Sequence, residues 1–371
     1  VVGLGFTGLK GEVQRVYFGT TGQDEAKGIY VADFDAKSGR VENLRLAATA
    51  PRPGFLSVSR DGQFLYATSA LTQEKENRKI GAVAAFAIQA DGSLRELVRR
   101  ESDAGPCFVA LDASGRTLLS AHYGGGSVAS YAVQADGSIS PRVSFFRHEG
   151  SSTHPQRQKG PHAHSIYPGP DNRFAYAPDL GIDKVMIYAL DPATATLSPE
   201  GSAATPAGSG PRHMKFSPDG KWAYVLGELS LDVIVYARDA TTGKLERKQV
   251  VSVLPDEADP EGMTCSEILV SRDGHFIFTA NRDTLGRGRD TLSVFSVGAE
   301  GKVTRRQTVA AEASIPRNIQ LSPDERWLLV AGQKSGGIPV FRVADRGQLS
   351  FSGQRAALPG AMCIVFAPSD E

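Results

Sequence analysis

Seven times along this chain a short run of hydrophobic and aromatic residues recurs in one shape, in most copies just after a turn. The copies read DGQFLYATS from Asp61, SGRTLLSAH from Ser114, DNRFAYAPD from Asp171, DGKWAYVLG from Asp219, DGHFIFTAN from Asp273 and DERWLLVAG from Asp324, with RVYFGTT from Arg15 as a first copy without the turn. With Tyr17, Tyr66, Leu119, Tyr176, Tyr224, Phe278 and Leu329 as equivalent positions, the intervals are 49, 53, 57, 48, 54 and 51 residues. A repeat of that length is the mark of a propeller blade. The expectation is an all-β, seven-bladed propeller forming a single domain over residues 1–371.

The text between Gly210 and Ala237 shows one blade in miniature. GPRHMKFSPDG, KWAYVLGELS and LDVIVYARDA each carry strand-like alternation bounded by turn residues, and KLERKQVVSV supplies a fourth strand. In SPDG, Pro218 presets φ while Asp219 and Gly220 accept turn geometry at little cost. The first blade lacks an inner strand before Tyr17, whereas the chain ends in GAMCIVFAPS, an inner strand with no blade after it. The C-terminal strand is therefore expected to complete blade one and close the ring, which removes exposed sheet edges.

Lysine plus arginine and aspartate plus glutamate both number 41, so no bulk field draws this chain to nucleic acid or to an anionic membrane. Any anion site must be local. Cys107, Cys265 and Cys363 lie far apart without the paired spacing of zinc or redox motifs and read as packing residues. No apolar run approaches the roughly 20 residues needed to cross a bilayer. The cytoplasm is the favoured compartment; because the chain opens on Val1 rather than methionine, an export signal could have been cut away, and the periplasm is then the expectation.

Blade geometry dictates which residues meet. The start of each inner strand and the loop after the second strand reach the same rim of the channel. Entering residues are Pro53, Pro106, His162 to His164, Arg212 with His213, Glu267, and Arg317 with Asn318; leaving residues are Tyr123, Leu180, Glu228, Arg282 and Gln333. Blades three to seven thus bring imidazoles, carboxylate and guanidiniums to one mouth. Arginine forks suit phosphate or carboxylate, and histidine or glutamate moves protons near neutral pH. Each has a plainer reading: rim charges are commonly solvated or paired between blades, and His122 and His213 also suit hydrogen-bonded packing. His162 and His164, on one face of a strand, form a metal pair only if a third ligand joins them, and the surrounding charge is too basic to favour a bare cation. His148 and His154 read as surface residues of the long polar loop 148–160, which is either a mobile insertion or a wall of the mouth. The insertion DTLGRGRD from Asp283, with Arg287 and Arg289, is expected to border the same opening.

GPHAHSIYPGPDNRFAYAPDLGIDKVMIYAL, GPRHMKFSPDGKWAYVLGELSLDVIVYA, EILVSRDGHFIFTANRD and IPRNIQLSPDERWLLVAGQKSGGIPVFRV together resemble the lactonase family of seven-bladed propellers, in order and nearly end to end. That group holds the propeller-type 6-phosphogluconolactonases and the fungal 3-carboxy-cis,cis-muconate lactonizing enzymes. The resemblance implies an active site at the channel mouth, no required metal and no cofactor. It assigns catalysis to His164, Arg212, Glu228 and Arg282; His162, His213, Asn281, Tyr123, His122, Gln333 and Arg317, at or beside the same rim, are the expected substrate contacts. The implied partner is a small anionic lactone, with no nucleic acid or membrane; a monomer is permitted. Gly227 stands where the family commonly has asparagine, and His122 replaces the asparagine of NYGGGSV. The leading expectation is a lactone hydrolase. The alternatives are a muconate-type cycloisomerase and a non-catalytic propeller that presents its faces to protein partners.

Overall fold

Each repeat folds as one four-stranded antiparallel sheet, and seven such sheets form the ring. The computed structural model describes residues 13–22, 25–71, 80–334 and 337–368, so 1–12 and 369–371 of the expected domain lie outside the described residues. Among the described residues the only helical element is the 3-10 turn Ala299–Gly301, and no helix is long and apolar enough to cross a membrane.

The seven repeated positions fall on one register. Tyr17, Tyr66, Leu119, Tyr176, Tyr224, Phe278 and Leu329 sit opposite Val365, Ser57, Ala110, Tyr167, Lys215, Leu269 and Gln320 of the inner strands. All seven are buried, so the repeat marks the second strand packed between neighbouring blades. The ring closes as expected: Ala361–Phe366 pairs antiparallel with Val13–Thr20 and becomes the inner strand of blade one.

A second device welds the same seam. Trp327, the aromatic of DERW in blade seven, packs on Gly39 in a turn of blade one and donates its indole N–H to the Ala36 carbonyl at 2.8 Å. Gly39 has φ of 74°, and a Cβ there would lie 2.7 Å from the indole. The same lock recurs where Trp222 of DGKW covers Gly301. In five of the seven motifs the opening aromatic (Phe64, Phe174, Trp222, Phe276 or Trp327) is thus an interblade key, and its receiving turn needs glycine for both backbone and space.

Gly115 offers a control, because its φ is 71° with nothing near its virtual Cβ. Gly115→Ala should cost only the left-handed penalty, about 1–2 kcal/mol. Gly39→Ala should cost about 1–3 kcal/mol more, from overpacking against Trp327. Urea midpoints of the two variants check this; equal losses would mean that the seam tolerates the added methyl.

Candidate active site

In blades three to seven the inner strand carries an extra residue at the mouth end. The register slips between Pro106 and Phe108, Pro211 and Met214, Cys265 and Glu267, and Pro316 and Asn318. In blade four Ala163 pairs with Asp179 and Tyr167 with Tyr176, so the stretch holding His164 also gains a residue. A bulge frees a side chain from the alternation of the strand and re-aims it. The bulged stretches contain Cys107, His164, Arg212 with His213, and Arg317.

Glu228 is the hub. Its N–H donates to the Gly210 carbonyl at 2.8 Å and its own carbonyl accepts from Cys265 N–H at 3.0 Å, which pins the backbone on both sides. Arg157 Nη2 donates to Oε1 at 2.7 Å, and Arg282 Nη2 lies 3.3 Å from the same oxygen. Oε2 lies 3.0 Å from Arg212 Nε and 3.8 Å from His164 Nε2. The Arg212 contact is ionic rather than a formed hydrogen bond, because its N–H is not aimed at the oxygen. Arg282 Nε is likewise buried without an acceptor, while its Nη2 donates to the Cys265 carbonyl at 2.8 Å. Two guanidinium N–H groups therefore stand unpartnered at the mouth, a condition native structures seldom leave unexplained.

A layer of polar groups lies beneath. Glu267 Oε1 accepts from His213 Nδ1 at 2.8 Å, leaving Nε2 to accept from Arg212 Nη1 at 3.3 Å. Glu267 Oε2 accepts from Asn318 Nδ2 at 2.7 Å, and Asn318 Oδ1 accepts from Ile364 N–H at 2.9 Å. The chain of bonds runs from the mouth to the strand that closes the ring. It separates an upper cavity of about 250 Å3, lined by Arg212, His213 and Arg317, from a lower one of about 380 Å3 that reaches Lys215 and Gln320.

Burial would raise the Glu228 carboxyl, but Arg282, Arg212 and Arg157 overcome it and hold the group down at about 2. His164 is pushed well below the usual imidazole range by burial, then by Arg212, His213 and Arg317. His213 is lowered to about 4 by burial despite Glu267, and Glu267, against its burial, is held at about 2 by His213. At neutral pH the pair is thus a neutral imidazole donating to a carboxylate. Arg317, buried beside Arg212 and Arg282, is pressed down to about 9.

The structure brings His164, Arg212, Glu228 and Arg282 around one carboxylate. Tyr123 and His162 stack at the edge, with centroids 4.4 Å apart, and His162 Nδ1 donates to the Tyr123 carbonyl at 2.8 Å. Gln333 is half-buried at the exit of blade seven, its N–H donating to the Ile315 carbonyl at 3.0 Å. Two expected contacts sit elsewhere. Asn281 points into blade six, where its amide nitrogen donates to Ser293 and Thr291 at 3.0 and 3.1 Å. His122 lies inside blade three between Ser120 and Ser127, both at 2.9 Å. Each precedes a rim residue, and strand alternation turns it inward.

Loop 148–160 is a wall rather than loose surface. His148 is buried, with its Nδ1 donating to Asp179 at 2.6 Å and its Nε2 accepting from Tyr188 at 2.8 Å, which corrects the surface reading. Gln158 anchors the loop to Leu180 and Asp183, while Arg157 crosses to Glu228 and also donates to the Tyr123 hydroxyl at 3.0 Å. Arg157 is the site residue missing from the repeat-based reading; its signal was a basic residue in the one long insertion beside PHAH. Arg287 and Arg289 instead pair with Asp259, Glu261 and Asp283, so the second insertion spends its charge on its own neighbours. Among the described residues no three His, Cys, Asp or Glu side chains are grouped to hold a metal ion.

The family model described as a seven-bladed β-propeller lactonase matches residues 15–366. A 6-phosphogluconolactonase of Bacillus subtilis is 33% identical, the match covering 94% of this chain and 97% of that protein. A 6-phosphogluconolactonase of Formosa agariphila is 29% identical over 93% of this chain and 96% of its own. Among solved structures, the periplasmic gluconolactonase of Pseudomonas aeruginosa superimposes with a TM-score of 0.88 at 30% identity, covering 96% of this chain and 99% of that one.

Buried neutral imidazoles give the fold an acid sensitivity. His164 lies well below its ordinary 6.5, while His122 and His213 are lowered to about 4, all three chiefly by burial. The unfolded chain takes up protons at these histidines near 6.5, before the native chain does, so stability falls as the pH drops from 6.5 toward 4. Glu267, held at about 2, extends the loss below its unfolded value of roughly 4.3. Thermal melts from pH 7 to 4 should show a steady decline in Tm; a flat profile would mean these imidazoles are not held neutral in the native state.

Proposed function

This chain belongs to the seven-bladed β-propeller lactonases, and from that premise we propose that it hydrolyses an anionic sugar lactone of the 6-phosphogluconolactone type at the Glu228 cluster. The observation that carries the reading is the pair of unpartnered guanidinium donors, Arg212 Nε and Arg282 Nε, on either side of an ionised carboxylate and a neutral imidazole. A lactone needs those parts: donors for the carbonyl oxygen that becomes an oxyanion, and a base for the attacking water.

His164 Nε2 takes a proton from water as its oxygen bonds to the ring carbonyl carbon. Arg212 and Arg282 receive the oxyanion. Collapse of the tetrahedral species breaks the ring C–O bond, and the proton held by His164 goes to the departing alkoxide, leaving a hydroxy acid. Glu228 suits the role of electrostatic partner better than that of base, because a carboxylate held at about 2 is a weak proton acceptor. It stabilises the imidazolium that forms 3.8 Å away. Burial is the larger cause of the low His164, and an anion seated among the arginines offsets the smaller share that Arg212 and Arg317 add, raising its basicity when substrate is bound.

The reaction needs no metal on this reading, since guanidiniums supply the positive charge and their excess opposes a cation. With a phosphorylated substrate the protein works in the cytoplasm, where sugar phosphates are retained; with an unphosphorylated one the periplasm suits it equally.

Hydrolysis followed by pH-stat tests the assignment. Glu228→Gln and His164→Ala should each lower kcat/KM by about 100-fold or more, with melting curves confirming that both variants fold. Unchanged turnover in both would sink it. For the wild-type protein acting on an unphosphorylated lactone, kcat/KM should show no inflection near 6.5 and fall only at more acid pH, because His164 lies well below 6.5 and Glu228 at about 2. An inflection near 6.5 would assign the base to an exposed histidine instead.

A further inference from the structure

The upper cavity extends away from Glu228 toward blades one and two, and its charge is one-sided. Arg52, Arg212 and Arg317 all line it, and among the described residues no carboxylate does. Arg212 already belongs to the Glu228 cluster through its Nε and donates to His213 through Nη1. Arg52 and Arg317 make no ion pair and no side-chain hydrogen bond among the described residues; Arg52 is exposed at the cavity's edge and Arg317 is half-buried within it.

Both are placed there by unusual backbone. Arg317 is the extra residue of the blade-seven bulge. Arg52 sits between Pro51 and Pro53 with φ of 51°, in the left-handed region that side chains seldom occupy. Its loop is pressed onto blade one: a Cβ on Gly22 would lie 2.2 Å from Arg52 N, and one on Gly19 2.3 Å from the Pro53 carbonyl oxygen. Backbone held in a sparsely populated region is concentrated at ligand clamps. A half-buried guanidinium beside Arg212 and Arg282, with Glu228 already shared among three other arginines, lacks a counter-ion of its own.

We propose that Arg52 and Arg317 form a second anion clamp, distinct from the pair facing Glu228, that holds the terminal oxyanion group of the substrate and sets its preference for phosphorylated over unphosphorylated lactones. The inference rests on the lactonase reading for its substrate, but the clamp is measurable without turnover. A tetrahedral phosphate offers three oxygens to two forks and suits this end of the cavity better than a hydroxymethyl group, which leaves both cations bare. A terminal carboxylate shares the chemistry with fewer acceptors.

Calorimetric titration of 6-phosphogluconate and gluconate, the two hydroxy-acid products, tests it in the wild-type chain, in Arg317→Lys and in the double variant Arg52→Gln/Arg317→Gln. The wild type should bind the phosphorylated acid on the order of 10-fold more tightly or better, the double variant should bring the two within about 2-fold, and Arg317→Lys should retain part of the preference. In turnover, kcat/KM of the double variant should fall about 10-fold further for the phosphorylated lactone than for the unphosphorylated one. No preference in the wild type, or an equal preference in the double variant, overturns the clamp. A preserved binding preference in a protein that hydrolyses neither lactone removes the lactonase reading and leaves the clamp standing.

Discussion

The strand from the C-terminus, Ala361–Phe366, paired with Val13–Thr20, is the contact on which the rest depends. A propeller blade buries its faces only against two neighbours, so an unclosed ring leaves blades one and seven each with an uncovered face and a free edge. The pairing supplies the inner strand of blade one, and Trp327 on Gly39 supplies its packing from blade seven. The mouth depends on the same closure. Asn318 bonds to the backbone of the closing strand, and Met362, at the register slip of that strand, lines the same cavity as Arg317 and Arg212.

Within the closed mouth, charge is deliberately unequal. An isolated carboxylate as buried as Glu228 would cost several kcal/mol in desolvation, and its ionisation is sustained by Arg157, Arg212 and Arg282. Glu267 adds little to this balance, because it is engaged with His213 and Asn318. With Arg317 included, four guanidiniums face one free-standing carboxylate. The mouth therefore carries more positive charge than its own carboxylate balances, which suits it to an anion. The same arginines act on His164, whose imidazole is held far from protonation first by burial and then by Arg212, His213 and Arg317.

The scaffold was legible because a sevenfold repeat fixes register, and register fixes which residues share a rim. The rim positions of Glu228 and Arg282 follow directly from lying four residues past Tyr224 and Phe278, and that of Arg212 from its place at the start of an inner strand. Direction was less legible than position. His122 and Asn281 stand one residue before Tyr123 and Arg282, and strand alternation turns their side chains into blades three and six, where serines and threonine satisfy them. The bulges leave no mark in composition, since an added residue in an apolar strand looks like a shift of one in repeat length. Arg157 and His148 belong to a loop outside the repeat, so periodicity is silent on them, and only the hydrogen bonds to Glu228, Asp179 and Tyr188 disclose their roles.

Gly227 shows how a departure from a family pattern is absorbed. A Cβ at this position would lie 2.3 Å from Ser230 Oγ and 2.4 Å from Asp232 Oδ1, so the space an asparagine side chain would enter is filled from the turn that follows. Asp232 Oδ1 is buried there without a hydrogen-bond partner, and burial lifts its carboxyl to about 6. Glu228 does not depend on the missing side chain, because the Gly210 carbonyl and the Cys265 N–H hold its backbone. Exchanging asparagine for glycine moves polar character from one residue before the Glu228 carboxylate to four residues after it. Glu228 keeps its place, and a second carboxyl comes to rest behind it whose charge, unlike that of Glu228, changes near neutral pH.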